Sequence, residues 1–408
     1  MLNRVWGGFF LVSALGCLSQ WWLGDAEVFS RWLQQLFAMA ELAVQIGIGL
    51  AGIMAMWMGL MKIGERGGLI DALARLLSPL FARLMPEIPR GHPALGSVTM
   101  NLSANALGLD NAATPMGIRA MEQMQSLNPN KAVASNAQIL FLVLNTSSVT
   151  LFPIAVLLYR AQQGAANPTD VFIPILLATC ASTLTGLLIT CLVQRIRLWD
   201  KVLLLWFGGG FALLAALLAN LSAYTTVQLQ QFSVLWSNAI LFALIMTILA
   251  VGAWRKVALF DEFIVGAKEG LHTTVRLIPY LLAMLLAIGS LRGSGVLDGV
   301  LWGVRLLVDS LGWDPRFIEA LPTALMKPFS GSGARAMMLD TLASEGVDSF
   351  AGRLASVFQG STETTFYVLA VYFGAVGIRR TRHAIPCGLL ADLAGILAAI
   401  AVAYWFFG

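Results

Sequence analysis

Apolar residues run along this chain in stretches long enough to leave water. The pattern predicts membrane-spanning helices at 5–23, 40–61, 171–194, 202–221, 233–253, 277–291 and 384–407. A helix needs about 20 apolar residues to cross the hydrocarbon of a bilayer, and only 277–291 falls short. Segments 66–85 and 296–311 differ. Charges recur among their leucines at helical spacing, the pattern of an amphipathic helix at an interface. At the N-terminus, Arg4 precedes the first apolar run, as in a signal sequence. Ala14-Leu15-Gly16-Cys17 faintly resembles a lipoprotein cleavage site, but Leu15 is too large, so a retained first spanning helix is expected.

The polar positions repeat. Gly68-Leu69-Ile70-Asp71 matches Gly295-Val296-Leu297-Asp298. About thirty residues later each copy has a small, polar stretch. The first holds Asn101, Ser103 and Asn105 and continues through Asp110-Asn111 to Pro115. The second is Lys327-Pro328-Phe329-Ser330-Gly331-Ser332-Gly333-Ala334-Arg335. Next, Asn145-Thr146-Ser147-Ser148-Val149-Thr150 aligns without gaps on Gly360-Ser361-Thr362-Glu363-Thr364-Thr365, and the register pairs Ala155-Val156 with Ala370-Val371. Each half closes with a proline-containing spanning helix, at Pro174 and Pro386.

Loop charges predict how the halves are oriented. Arg195, Arg197 and Lys201, then Arg255 and Lys256, flank a hairpin whose turn, 222–232, is uncharged. The basic flanks and Arg379-Arg380-Thr381-Arg382-His383 are expected inside; segment 160–170, with one arginine and one aspartate, is expected outside. The amphipathic regions agree. Residues 62–90 carry five Lys/Arg and three Asp/Glu, whereas 292–319 carry three and four. The expected fold is an all-α polytopic membrane protein of two inverted-topology repeats with re-entrant or discontinuous helices. Its expected units are an N-terminal helix and loop (1–39), a first repeat (40–200), a linking hairpin (201–256) and a second repeat (257–408).

Composition supports lipid as the solvent. The 408 residues are 58% hydrophobic and 12% charged, against about 25% in soluble domains. Mean hydropathy is +0.77 over the whole chain, so the excess is not one anchor. A net charge of +4 with no long basic run gives no reason to expect nucleic acid as a partner. Cys17, Cys180, Cys191 and Cys387 lie in apolar stretches without a C-x-x-C pair, and His92, His272 and His383 are far apart. No metal site, cofactor or catalytic constellation is expected.

The chemistry therefore falls to the polar stretches. Asn, Ser, Gly and Pro permit backbone to leave helical geometry, and broken ends present free N–H and C=O groups. Ordinary interhelical loops are the plain alternative. Glu363 is the sharpest single residue, because a carboxylate in an apolar run costs roughly 3 kcal/mol on insertion scales unless paired, hydrated or protonated. It reads as a solute contact, a proton-coupling acid or a sodium ligand, or else as a structural partner for Arg335. Arg335 itself suits bidentate binding of an anionic group. Asp110 reads equally as a helix cap. Asp392, mid-helix in the last span, reads equally as functional or as a structural lock. Asn145, Thr146, Ser147 and Ser148 carry no charge and would serve as helix glue, except that they align on Gly360–Thr365.

The run Asn101-Leu102-Ser103-Ala104-Asn105-Ala106-Leu107-Gly108-Leu109-Asp110-Asn111-Ala112-Ala113-Thr114-Pro115-Met116-Gly117 and Leu144-Asn145-Thr146-Ser147-Ser148 resemble the signature of the spore maturation protein A family. The stretches Pro328–Arg335, Gln359-Gly360-Ser361-Thr362-Glu363-Thr364-Thr365-Phe366-Tyr367 and Arg379–His383 resemble spore maturation protein B. The chain looks like a fusion of the two over about residues 40–408. The resemblance implies the broad gate, or nucleoside-recognition, group, similar to concentrative nucleoside carriers and to the membrane gate of ferrous-iron transporters.

The expectation is a secondary transporter or permease for a small polar solute, multi-pass in the inner (plasma) membrane. Its partners would be the bilayer, the solute and a coupling proton or sodium ion, with a homo-oligomer one option. The expected substrate-binding residues are Asn101, Ser103, Asn105, Asp110, Asn111, Asn145, Thr146, Ser147, Ser148, Ser330, Ser332, Arg335, Gln359, Ser361, Thr362, Glu363 and Thr364. A non-transporting scaffold or ligand sensor is the alternative; no enzymatic activity is expected.

Overall fold

The computed structural model describes residues 2–408 except 90, 109, 148–149 and 197–198, and describes no side chain for 2–5 or 110–112. The described chain is helical, with one isolated bridge between Val133 and Arg380. The helices are α1 (Leu2–Trp22), α2 (Val28–Arg66), α3 (Leu69–Leu84), α4 (Pro93–Ala106), α5 (Asp110–Leu127), α6 (Asn136–Thr146), α7 (Ile154–Gln162), α8 (Phe172–Gln194), α9 (Lys201–Leu221), α10 (Thr226–Trp254), α11 (Leu259–Gly293), α12 (Val296–Ser310), α13 (Leu321–Met326), α14 (Gly331–Glu345), α15 (Phe350–Ser361), α16 (Thr365–Ala375) and α17 (Ala384–Phe407). A 3-10 turn, Pro315–Ala320, precedes α13. Six described helices, α2, α8, α9, α10, α11 and α17, are long and apolar enough to cross a bilayer. The protein is an all-α polytopic membrane protein in contact with lipid. Helix α9 shows why lipid is required: it buries only Leu203 and Leu221, leaving Leu204, Leu205, Phe211 and Leu213 outward.

Three spans are longer than the apolar pattern predicts; 233–253 lies within 29-residue α10, which starts at Thr226, inside the expected turn 222–232. Segment 40–61 is part of 39-residue α2, and 277–291 is part of 35-residue α11. At about 1.5 Å per residue α2 and α11 are on the order of 50–60 Å long, well beyond the hydrocarbon. Their polar ends are stabilised by each other: Lys62 pairs with Glu269 at 3.4 Å and Arg66 with Glu262 at 3.3 Å. The first apolar run forms α1, which lies along α11 through Ser13 Oγ and Ser294 Oγ, 3.1 Å apart, and Gln20 Nε2 donating to Ser294 O.

The order of elements repeats. From α2 to α8 the chain makes a long helix, an amphipathic helix, a helical hairpin (α4–α5), an interrupted helix (α6, α7) and a spanning helix. From α11 to α17 it does so again, with α13–α14 as the hairpin and α15, α16 as the interrupted helix. The matching glycines occupy one structural role. Gly68 (φ 81°) and Gly295 (φ 67°) turn the chain out of the long helix into the amphipathic one, in a left-handed conformation that costs glycine nothing. Both α6 and α15 start at a serine cap. Ser135 accepts from Gln138 N, completing a capping box, and Ser349 accepts from Gly352 N.

Matching helices pack antiparallel. Trp32 of α2 lies by Gly293, Gly47 by Ile278, Met54 by Gly270 and Met58 by Gly266, so one chain ascends as the other descends. Gly266 and Gly270 sit one turn apart, as do Gly289 and Gly293. These small residues let the backbones touch, the usual basis of helix association in lipid. Helices α8 and α17 also run antiparallel. Ser182 Oγ donates to Ala391 O at 2.9 Å, and Gln194 Nε2 lies 3.1 Å from His383 Nε2. Burial, with Arg382 nearby, lowers the His383 imidazole below its ordinary pKa, which suits the ring to accept that bond.

The charges of 160–170 are buried. Arg160 is fully buried, bonding Asp170 at 2.9 Å and Asp348 at 3.2 Å, and Arg353 bonds the other Asp170 oxygen at 2.7 Å. The cluster fastens the first half to the loop and helix around α15.

A side chain at Gly270 would stand 2.7 Å from Met54 O and 2.8 Å from Ala55 Cα, atoms that cannot move aside. Gly270→Val is expected to destabilise by about 1–3 kcal/mol, read as a lower unfolding temperature in detergent. Asp170→Ala leaves Arg160 with Asp348 alone, takes the carboxylate from Arg353, and is expected to cost about 3–5 kcal/mol. Adding Arg160→Leu should restore part of that loss, and an unchanged double mutant would contradict the pairing.

Candidate functional site

Both interrupted helices break at the register the sequence alignment gives. Helix α6 ends at Thr146 and α15 at Ser361, the residues paired in that alignment. After Ser361 the chain is extended at Thr362 (φ −143°, ψ 171°), and helix resumes at Thr365. In the first half it resumes after Pro153, which cannot donate into a continuing helix.

The breaks and hairpin turns satisfy one another. Glu363 N–H donates to Thr146 O at 2.8 Å, joining the two breaks directly. Leu151 N–H donates to Ala106 O at 3.0 Å, tying the first break to the α4–α5 turn. Phe366 N–H donates to Pro328 O at 2.9 Å, tying the second to the α13–α14 turn. Leu151 and Phe366 are partners in the gap-free register, so the same bond occurs once in each half. Gly108 (φ 72°) makes the first turn, and a Cβ there would meet Phe152 O at 2.8 Å.

Side chains reinforce this knot. Asn105 Nδ2 donates to Asn145 Oδ1 at 2.8 Å, and Tyr372 O–H donates to the same oxygen at 3.4 Å. Asn101 Nδ2 donates to Tyr372 Oη at 3.2 Å and to Ala113 O at 2.8 Å. Lys327, almost fully buried, donates from Nζ to Gln359 O at 2.7 Å. Thr365 O–H donates to Asp392 Oδ2 at 2.6 Å. Buried oxygens remain without partners among the described residues: Asn101 Oδ1, Gln359 Oε1 and Asp392 Oδ1. Such groups are uncommon in protein interiors and often accompany a functional role.

Beside the knot lies a cavity of about 680 Å³, within the usual range for small-molecule sites. Asn105 and Asn145 enter it from the first half; Ser330, Ser332, Arg335, Glu363 and Thr364 enter from the second. Its apolar wall includes Phe329 stacked on Phe366, ring centres 5.3 Å apart. A smaller space of about 90 Å³ adjoins, sharing Thr150, Gly331, Arg335 and Glu363 and adding Gln359 and Lys327. A third cavity of about 390 Å³ lies toward α2 and α11, with Trp57, Tyr159, Glu269 and again Arg335 in its walls.

The expected residues divide accordingly. Asn105, Asn145, Ser330, Ser332, Arg335, Glu363 and Thr364 face the large cavity and Gln359 the small one. Asn101 is fully buried, held by Ala113 and Tyr372. Ser103 is buried in α4, with no partner for its hydroxyl among the described residues. Thr146, Ser147 and Ser361 turn their hydroxyls back onto Val143, Leu144 and Phe358 of their own helices. Thr362 is buried, its Cγ2 close to Gly395. Ser148 and the side chains of Asp110 and Asn111 lie outside the described residues. Glu363 and Arg335 form no ion pair among the described residues. Among those residues no group of three or more His, Cys, Asp or Glu is placed to hold a metal.

Tyr372 was not among the expected residues. It sits in an apolar run, where no local pattern marks it. Lys327 carried a signal, a lysine directly before the Pro328 turn.

A family model described as Gate, nucleoside recognition, matches residues 48–162 and 274–379. Spore maturation protein A of Bacillus subtilis (strain 168) is 39% identical over 189 residues, 46% of this chain and 93% of that protein. Spore maturation protein B of the same organism is 45% identical over 172 residues, 42% of this chain and 95% of that protein. No solved structure matches the chain.

Tyr372→Phe removes one hydroxyl from the Asn101–Asn145 network and is expected to cost about 1 kcal/mol. Asn145→Leu also leaves Asn105 without its acceptor and should cost about 1–3 kcal/mol. Equal unfolding temperatures for the two variants would show that the network does not hold the breaks together.

Proposed function

The chain belongs to the Gate, nucleoside recognition, family, and on that premise we propose that it is a secondary transporter or permease for a small polar solute. The solute would bind where the two halves meet, in the 680 Å³ cavity. One observation carries the reading: helix breaks from both halves converge beside a single cavity, and polar side chains from both halves enter it. A scaffold would gain nothing from that space, whereas a carrier needs it. The family description, nucleoside recognition, supports a polar solute of nucleoside-like or amino-acid-like size.

Two inverted repeats are part of the proposal. Antiparallel packing of α2 on α11 and of α8 on α17 supports it, because equivalent helices of inverted repeats must cross the bilayer in opposite directions. Alternating access would be a movement of one repeat against the other around the joined breaks. We place the protein in the inner (plasma) membrane, with a proton or sodium ion as the coupling partner and no catalytic step.

Glu363 is the proposed coupling or solute-binding carboxylate. Proteoliposomes tested with radiolabelled nucleosides and amino acids under an imposed pH gradient are expected to accumulate solute. Glu363→Gln should reduce that uptake to background while the unfolding temperature stays at the wild-type value. Wild-type uptake by this variant would remove Glu363 from the mechanism.

A further inference from the structure

Two opposite charges line the large cavity, and neither is in an ion pair among the described residues. Arg335 makes no ion pair among the described residues, and its Nε–H is buried without a hydrogen-bond acceptor. The guanidinium rests over the Tyr159 ring, 5.5 Å from its centre, which steadies the side chain without neutralising it. Glu363 uses its backbone N–H on Thr146 O, and its carboxylate has no partner among the described residues. Other sheltered arginines are matched: Arg160 with Asp170, Arg353 with Asp170 and Arg292 with Asp340.

An unmatched guanidinium in a sheltered space is costly unless something outside the chain completes it. The cavity offers three kinds of contact. Arg335 presents N–H groups in a fork that fits a carboxylate or phosphate through two parallel bonds. Glu363 can only accept, from N–H or O–H groups, while it is ionised. The Phe329–Phe366 stack supplies a flat apolar wall. Ser330 and Ser332, at the N-terminus of α14, add hydroxyls beside Arg335.

We propose that Arg335 and Glu363 are the two poles of one ligand site, and that the solute is a planar molecule with an oxyanion at one end and N–H or O–H donors at the other. This rests on the transport reading for the site's purpose, but its test is a binding test. Arg335 also borders the small space and the cavity toward α2 and α11.

Purified full-length protein in detergent should be titrated with benzoate, phenyl phosphate and neutral benzamide at constant ionic strength. At tenfold over its Kd, benzoate or phenyl phosphate is expected to raise the unfolding temperature by about 2 °C, and benzamide at the same concentration, with donors for Glu363 but no oxyanion, to raise it less. The anion-dependent rise should vanish in Arg335→Gln. A second readout needs no variant: phenylglyoxal modification of Arg335 in the wild type, followed by mass spectrometry, should be slowed by the effective anion and not by benzamide. Equal stabilisation by benzamide, an anion effect that survives Arg335→Gln, or no protection of Arg335 would each overturn the proposal. Anion binding without solute uptake in proteoliposomes would instead overturn the transport reading and leave this site standing. Uptake of neutral solutes unaffected by Arg335→Gln would do the reverse.

Discussion

A peptide group that leaves a helix inside a membrane protein has no bulk water to bond to, and each unmet donor or acceptor is expensive. Among the described residues, this chain leaves helical geometry inside its bundle at two hairpin turns and two helix breaks. The structure meets the constraint by bringing all four together. Glu363 N–H bonds Thr146 O, and matching bonds from Leu151 and Phe366 reach the turn of their own hairpin. Each interruption is viable because the others stand next to it. A cavity follows from the same arrangement, since side chains cannot fill the space around four converging ends as densely as helices fill the space around each other.

The long α2–α11 pair supplies the frame that makes this convergence possible. Glycines at 266, 270, 289 and 293 bring the two backbones into contact, and ion pairs at the helix ends fix their register. From that frame, left-handed turns at Gly68 and Gly295 start each amphipathic helix in the same way. The hairpins and broken helices then fold back toward the centre. The Arg160–Asp170–Asp348–Arg353 cluster ties the two halves away from the cavity, so the fold does not depend on the polar residues at the breaks alone.

The site is asymmetric within a symmetric plan. Backbone bonds are repeated in the two halves, but the chemistry is not. The first half contributes amides, Asn105 and Asn145, already bonded to one another. The second contributes the charges, with Lys327 and Asp392 held by backbone or hydroxyl partners and Arg335 and Glu363 left open to the cavity. Division of labour of this kind lets one half anchor the geometry while the other discriminates the solute.

Much was legible in the sequence because lipid imposes simple rules. Apolar length marks spanning helices, and α8, α9 and α17 fall where it places them. Gapless alignment of 145–150 on 360–365 located both breaks, since small and polar residues in an apolar run must interrupt something. What the sequence left open depends on distance between remote segments. Lengths of α2 and α11 were underread because their charged ends look like loops until Lys62 meets Glu269 and Arg66 meets Glu262. Segment 160–170 was expected outside from its few charges, and only the fold buries them, against Arg353 and Asp348 from nearly two hundred residues away. Thr146, Ser147 and Ser361 have the residue types of a binding site, but only the fold turns their hydroxyls inward onto their own helices. Residue type and spacing therefore determined where the chain must break. Which broken ends meet, and which charges stay unpaired, was decided by tertiary packing, because hydrogen bonds and ion pairs depend on separations of a few ångströms that no local pattern encodes.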